Sequence, residues 1–329
     1  RSWPSSARVL SSWTAAPRAY PQKRKEGVIF MAYDAYLYGM ILRTNSFLLK
    51  GDYPKADTYG EILKKYSLPG GETGTCATVL LSLGRSVKMD GTYMGRTTMP
   101  FIQDFYKDKA CDLTSLHLDE SFDGLEDNVL VAGNTRTPLG QFQAFYADPN
   151  HRWNPPKEED IRQAQVAAID PYFFEDSIHA AEICRDLKKP YVTIDCAYDS
   201  VLHRYSAVNV VSDEFYRDHY PQEARDDVLR KYMEASDGLT IFTLGAREIR
   251  FGRKGGQIQS FAPYKVDVVS TLGAGDTFKA GCVYALWAGM DDISTVRFAA
   301  ASAALACTRF PLPLNPPQLA EVLLLMSTR

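Results

Sequence analysis

A glycine-rich turn between a predicted strand and a predicted helix constrains the fold of this chain most. Residues 266–269 predict a strand, and residues 277–290 carry apolar residues at helical spacing. Gly273, Ala274 and Gly275 therefore fall at a helix N-terminus, where the first backbone N–H groups have no intrahelical partner and the dipole favours negative charge. A strand–turn–helix unit of this kind indicates an α/β fold with an anion site built from main chain.

Asp276 directly follows the turn and is the clearest candidate catalytic group. The positive end of the helix would keep its carboxylate ionised at neutral pH, beside any anion that the turn holds. A carboxylate in this place can act as the general base for an alcohol that attacks phosphorus. The alternative is that Asp276 only caps the helix, since aspartate at a helix start is common and usually structural.

Three segments of the chain resemble one enzyme family. Residues 271–278 resemble the second signature of the ribokinase, or PfkB, family of sugar kinases. Residues 68–84 resemble its substrate-side stretch, in which a double glycine leads into a helix, and residues 240–245 resemble the strand and turn that cover the nucleotide phosphates. The resemblance implies a ribokinase-like, Rossmann-type central parallel sheet flanked by helices. It also implies a small β lid from segments near 35–66 and 115–147.

The chain departs from the family pattern at several places. Thr75 stands where relatives usually have Asn, residues 95–97 lack the usual Gly-x-Asp, and residues 246–248 lack the usual second glycine. These changes motivate an alternative of a different class, a kinase-like protein that has lost turnover and serves as a ligand sensor or assembly subunit. The intact turn at residues 273–276 opposes that alternative.

The rest of the chain alternates predicted strands and helices. Apolar runs predict strands at 28–32, 129–132, 164–169, 191–194 and 208–211, and helices at 78–83, 178–187 and 228–235. Such alternation predicts a parallel sheet with right-handed crossovers. Ligands bind at the carboxyl ends of parallel strands, where the sequence places Asp195, Ser212, Gly245 and Gly273.

Composition agrees with one large cytoplasmic domain. The chain has 329 residues, enough for a sizeable core. Its net charge of -3 argues against a nucleic-acid surface. No apolar run is long enough to cross a bilayer. Six cysteines without a C-x-x-C pair are expected to be reduced, and five histidines form no metal-ligand spacing. Residues 1–26 are basic and aperiodic, so we expect an expression-tag remnant or a transit-like extension outside a kinase domain at 27–329.

The resemblance implies contacts for both substrates. On the nucleotide side these residues are Thr243, Gly245 and Thr271, with Ala303 and Cys307 in an adenine slot. On the sugar side they are Asp34, Gly70, Gly71, Thr75 and Arg136. Structural alternatives stay open, namely a surface turn for Asp34, a solvent-facing side chain for Arg136, and close packing for Ala303 and Cys307.

The family's magnesium motif, Asn-x-x-Glu, has no clean match. Asn209 and Glu214 are the candidates, but they are separated by four residues. The closest register instead places Ser212 and Phe215 there, so a solvated helix start is an equal alternative.

Together these observations predict an ATP- and Mg²⁺-dependent sugar kinase with Asp276 as the base. The lid predicts a homodimer, for which Tyr33, Tyr36, Tyr38 and Phe47 would supply an aromatic surface. Many relatives place Asp at the position of Ser270, where it helps bind a monovalent cation. A neutral hydroxyl there predicts weak or absent potassium activation.

Overall fold

The computed structural model describes residues 32–133 and 135–329. The predicted strand at 28–32 lies outside the described residues except for Ala32. The strands are β1 (Tyr33–Gly39), β2 (Leu42–Leu49), β3 (Ile62–Gly70), β4 (Val87–Gly91), β5 (Cys111–Asp112), β6 (Glu126–Ala132), β7 (Thr135–Gly140), β8 (Ala164–Ile169), β9 (Tyr191–Ile194), β10 (Val208–Ser212), β11 (Leu239–Thr243), β12 (Ile249–Gly252) and β13 (Gln259–Phe261).

The helices separate most of these strands along the chain. They are α1 (Gly71–Ser82), α2 (Thr98–Tyr106), α3 (Phe142–Ala147), α4 (Glu158–Arg162), α5 (Phe174–Asp186), α6 (Val201–Tyr205), α7 (Asp213–His219), α8 (Arg225–Ala235), α9 (Ala274–Trp287), α10 (Asp292–Cys307) and α11 (Leu319–Met326). Across the described ranges, each helix is too short or too polar to span a membrane.

The larger sheet is the predicted parallel sheet. Its strand order is β13-β12-β11-β10-β9-β8-β1-β4-β5, and only β12 and β13 run antiparallel to their neighbours. Both faces are covered, because one apolar core contains side chains of α1, α9 and α10 and a second core contains side chains of α5. Parallel sheets are normally buried on both faces in this way.

The aromatic residues of β1 correct the predicted dimer surface. Tyr33, Tyr36 and Tyr38 are at most 3% exposed, and they pack in the core beneath α5. Alternate residues of a strand point to opposite faces, so Leu37 enters the other core. These tyrosines therefore cannot supply an exposed lid surface. Phe47 does lie outside the large sheet, on β2.

The second sheet has four strands in the order β3-β2-β6-β7. Strands β2 and β6 are parallel, whereas β2–β3 and β6–β7 are antiparallel pairs. Because β1 belongs to the large sheet, the predicted lid segment near 35–66 is corrected to begin at Leu42, and β3 continues to Gly70. Strand β3 then passes into α1 without an intervening residue.

The predicted strand at residues 266–269 is wrong. This segment joins neither sheet, and Val268 and Val269 are exposed. The backbone N–H groups of Val269 and Ser270 instead donate to the Cys307 carbonyl at the end of α10, at 2.8 and 3.1 Å. The segment is therefore fixed by a helix terminus, and α9 begins at Ala274, before the predicted start at 277.

Candidate functional site

The start of α9 has the geometry that its glycines predict. Gly273 is the N-cap residue, with φ of 78°. A Cβ atom there would lie 2.7 Å from Leu312 Cδ2 and 3.2 Å from Thr75 Cγ2. Both the left-handed backbone and the close packing therefore require glycine at this position. The same contact brings Thr75 of the substrate-side helix to the turn.

Two backbone donors at this helix start are free. The Ala274 N–H donates to the Thr271 carbonyl at 3.2 Å, but the N–H groups of Gly275 and Asp276 have no hydrogen-bond partner within the described ranges. A Cβ at Gly275 would meet nothing within 4 Å. Unpaired donors at a helix N-terminus, next to a glycine whose Cβ position is open, form an arrangement that can bind phosphate.

The Asp276 carboxylate is not used to cap the helix. Asp276 lies in the first turn of α9, and no side chain forms a capping hydrogen bond there. Burial raises the pKa of Asp276 to about 6, and Lys279 opposes this rise whereas Asp170 adds to it. Burial, rather than the helix dipole, thus sets the proton affinity. The carboxyl remains mainly ionised at neutral pH and has the basicity of a general base.

The double glycine on the substrate side is required by packing. Gly71 has φ of 76°, and its Cβ would lie 2.4 Å from the Met40 carbonyl oxygen. A Cβ at Gly70 would lie 1.8 Å from Thr44 Oγ1. The Met40 carbonyl also accepts a hydrogen bond from the Thr73 N–H at 3.0 Å. The start of α1 is therefore closed by the connection between β1 and β2.

Two carboxyl groups that the sequence reasoning missed interact electrostatically with Asp276. Burial, together with the charges of Asp170 and Asp276, raises the pKa of Glu72, in the first turn of α1, to about 8. Asp170 follows β8 directly, so the rule that ligands bind at carboxyl ends of strands could have identified it. Arg136 is an exposed residue of β7, and its positive charge lowers the pKa of Asp276.

The edge of the sheet that carries the predicted nucleotide contacts contains a strained acid. Asp195 follows β9 with φ of 42°, which is unusual for a residue other than glycine and often marks a functional site. Its Oδ1 accepts a hydrogen bond from the Ser212 N–H at 2.7 Å. Ser212 Oγ accepts from the Phe215 N–H at 3.0 Å, so Ser212 caps the start of α7.

The predicted nucleotide contacts lie near the same sheet edge. Thr243 ends β11, and Gly245 follows with φ of 63° and open space around its Cβ position. Ala303 and Cys307 are half-buried on α10, whose end holds the segment before the turn.

The structure does not bring Asp34 or Asn209 to this site. Asp34 is the second residue of β1, at the opposite edge, and its carboxylate accepts from the Ser86 N–H and Trp287 Nε1 at 2.9 and 3.1 Å. Asn209 is fully buried within β10, where its amide contacts His203 Nδ1 at 3.0 Å. Glu214 is exposed at the start of α7. No group of three His, Cys, Asp or Glu side chains in the described ranges could hold a metal.

Comparisons with known proteins identify the family. Residues 144–312, which are 169 of the 329 residues, match the pfkB family of carbohydrate kinases. A ribokinase from Lactococcus lactis is 30% identical over 103 residues, which cover 31% of this chain and 33% of that protein.

Solved structures share the fold over most of the chain. Arabidopsis thaliana ribokinase, solved with ribose and ATP, has a TM-score of 0.74 at 17% identity and matches 90% of this chain and 99% of its own. A Methanocaldococcus jannaschii nucleoside kinase has a TM-score of 0.72 at 16% identity, with the same coverage of 90% and 99%. This chain therefore belongs to the pfkB family of carbohydrate kinases, phosphotransferases that act on an alcohol group.

Proposed function

We propose that this protein transfers the γ-phosphoryl group of ATP to a hydroxyl group of a small sugar. The observation that carries this proposal is the uncapped Asp276 carboxylate beside the free N–H groups of α9. The Arabidopsis relative was solved with ribose and ATP, which supports the same two ligand classes here.

The proposed reaction needs positioning and charge stabilisation, with no covalent intermediate. The acceptor oxygen forms a bond to the γ-phosphorus while the bond to the bridging oxygen of ADP breaks, and the hydroxyl proton passes to Asp276. The N–H groups of Gly275 and Asp276 face the charge on the transferred group, and Arg136 supplies a cation from β7. The double glycine, Gly70 and Gly71, and Thr75 border the acceptor.

The remaining contacts belong to ATP and Mg²⁺. We assign the nucleotide to the edge that contains Thr243, Gly245, Thr271, Ala303 and Cys307. The described residues offer separate hard oxygen ligands, such as Asp195, rather than a protein cage. That set fits Mg²⁺, which keeps several waters and binds substrate phosphates. The ion would neutralise charge on the phosphates, and Asp195 and Glu214 could hold its waters.

The test is ADP formation with a panel of pentoses, hexoses, sugar phosphates and nucleosides, for the wild type and Asp276→Asn. Loss of the base should lower turnover ~100- to 10,000-fold and leave ATP affinity nearly unchanged. Asp267→Asn, which changes an exposed acid nearby, is the matched control. Wild-type turnover in Asp276→Asn would refute the assignment.

The same panel separates the alternative function. If ATP raises the melting temperature but no acceptor gives product, the protein is a ligand sensor or an assembly subunit rather than an active kinase. A cytoplasmic location remains a prediction from composition.

We further propose that the second sheet is a lid that forms a homodimer. Strand β7 is exposed throughout, and Leu63 on β3 and Leu139 on β7 are 55% and 51% exposed. Small exposed sheets gain stability when an apolar face is covered. Light scattering at micromolar concentration should show a dimer, and Leu63→Asp with Leu139→Asp should give a monomer. Leu324→Asp, at an exposed leucine of α11, should remain dimeric. A monomeric wild type would contradict the proposal.

A further inference from the structure

A fully buried lysine lies one helical turn beyond Asp276. Lys279 is on α9, its side chain is 0% exposed, and its ammonium pairs with the Asp170 carboxylate, which is 1% exposed. Residues three apart on a helix are neighbours on one face, so Lys279 and Asp276 share a face of α9. A buried ion pair is costly to form and strongly destabilising to break. The chemistry proposed above uses neither Lys279 nor Asp170.

Asp170 is held in place from several elements. Its Oδ1 accepts from Lys279, and its Oδ2 accepts from Thr73 Oγ1 at 2.9 Å and the Met40 N–H at 3.2 Å. A Cβ at Gly39 would lie 1.9 Å from the same Oδ2, so the chain passes tightly around it. These contacts join the end of β1, the end of β8 and the start of α1. The ammonium of Lys279 is thereby fixed in position.

The charged groups around Lys279 are mainly acids. Asp276 lies on the same helix, Glu72 lies on α1, and Asp170 follows β8. The Cys76 thiol and the hydroxyls of Tyr146 and Tyr172, which are also near these carboxyl groups, stay neutral because burial raises their pKa values. Asp195 and Arg136 also affect the pKa of Asp276, from β9 and β7. In this group, Lys279 is the fully buried cation, whereas Arg136 is exposed. Within this group, the Lys279 ammonium is therefore the buried positive charge that faces three carboxyl groups, those of Asp276, Glu72 and Asp170.

We propose that Lys279 is a positioning residue for phosphoryl transfer, whose fixed charge, held by Asp170, maintains the Asp276 carboxyl in its basic form. The proposal rests on the kinase function proposed above. Lys279 attracts the carboxylate form of Asp276, and Asp170 repels it. Replacement of each partner should therefore change the acid limb of the kcat/KM profile in opposite directions.

The test measures kcat/KM from pH 4.5 to 9 for Lys279→Met and Asp170→Asn. Lys279→Met should move the acid limb upward by about one to two pH units, and Asp170→Asn should move it downward by about half a unit. A structural role would lower activity without opposite shifts. Lys88→Met is the matched control, because Lys88 is a buried lysine that pairs with Asp112 and Asp160 at 3.1 and 3.4 Å. Its acid limb should not move.

A second readout does not need turnover. The ¹³C-carboxyl signal of Asp276, assigned by its loss in Asp276→Asn, can be titrated in each folded variant, so failure of the kinase assay leaves this test intact. Opposite shifts in the titration midpoint support the proposal, and unchanged or parallel shifts overturn it. If Lys279→Met does not fold, the polar variant Lys279→Gln is titrated in its place. A higher midpoint in Lys279→Gln then supports the proposal, and an unchanged one overturns it.

Discussion

The starts of α1 and α9 have nearly the same local composition but different surroundings. Each contains glycines, then an acid in the first turn, then a threonine. At α1 the space around the glycines is filled by Met40 and Thr44, and the Thr73 N–H is already bonded. At α9 the space in front of Gly275 is open and two N–H groups have no partner in the described ranges.

A glycine-rich helix start is therefore not by itself a ligand site. The double glycine of α1 permits close packing of backbone on backbone, whereas Gly275 leaves room for an anion. Tertiary neighbours decide between the two roles, since the local sequence is similar. We therefore expect substitutions at the start of α1 to lower stability and substitutions at the start of α9 to weaken ligand binding.

The largest contrast is expected between Gly71→Ala and Gly275→Ala. Alanine at 71 would have φ of 76° and a Cβ 2.4 Å from the Met40 carbonyl oxygen, so unfolding in urea should show a loss of about 2–4 kcal/mol. Gly275→Ala should change stability by less than ~1 kcal/mol. It should, however, weaken ATP binding by roughly tenfold, equivalent to ~1.4 kcal/mol. Equal stability losses in the two variants would remove the distinction between packing and ligand access.

The acids of the two starts should give different pH dependence of stability. Both folded pKa values lie above the ordinary ones, so the wild type loses stability as pH rises from the unfolded pKa to the folded pKa. For Asp276 this window is from 3.8 to about 6, and for Glu72 it is from 4.5 to about 8. Asp276→Asn should therefore gain about 3 kcal/mol, and Glu72→Gln about 5 kcal/mol, over the wild type above their windows.

Urea unfolding between pH 4 and 9 checks this prediction. The advantage of Asp276→Asn should be complete near pH 6, whereas that of Glu72→Gln should keep growing to about pH 8. A stability advantage that does not depend on pH would mean that burial does not raise these pKa values. Gain of stability with loss of turnover in Asp276→Asn would also show that Asp276 is a catalytic base rather than a helix cap.

The smallest effect is expected from potassium, near the start of α9. Ser270 is buried, and its Oγ accepts a hydrogen bond from the Leu272 N–H at 3.2 Å. A neutral, engaged hydroxyl attracts a cation weakly, so potassium should change turnover by less than about twofold. Turnover in sodium-free buffer, with choline chloride at equal ionic strength, measures this. Ser270→Asp should increase the response, and a large potassium-specific rise in the wild type would contradict the prediction.

The local parts of the fold and site could be predicted from the sequence. Strand β9 occupies the predicted residues 191–194, and the turn at 273–276 lies at a helix start as predicted. These features depend on short apolar runs and on glycines, whose signals are local. The shape of the sheet followed from the alternation of such runs.

The nonlocal parts could not be predicted. In the sequence, Tyr36 and Tyr38 look like an exposed aromatic strand, but α5 covers them in the fold. Asp34 looks like a ligand, but it lies at the end of β1 that is farther from the site, where it bonds to Ser86. Lys279 and Asp170 are 109 residues apart in the chain. No spacing rule connects such a pair, because only the packing of β8 against α9 brings the two together.

The direct passage from β3 into α1 has a mechanical consequence. Because no loop residue separates Gly70 from Gly71, the second sheet cannot rotate against the large domain without changing the backbone dihedral angles of these two glycines. Gly71 already has φ of 76°, and its neighbours leave no room for a Cβ. A displacement of this sheet would therefore move the first turn of α1, and the position of the Glu72 carboxyl would change with the position of the sheet.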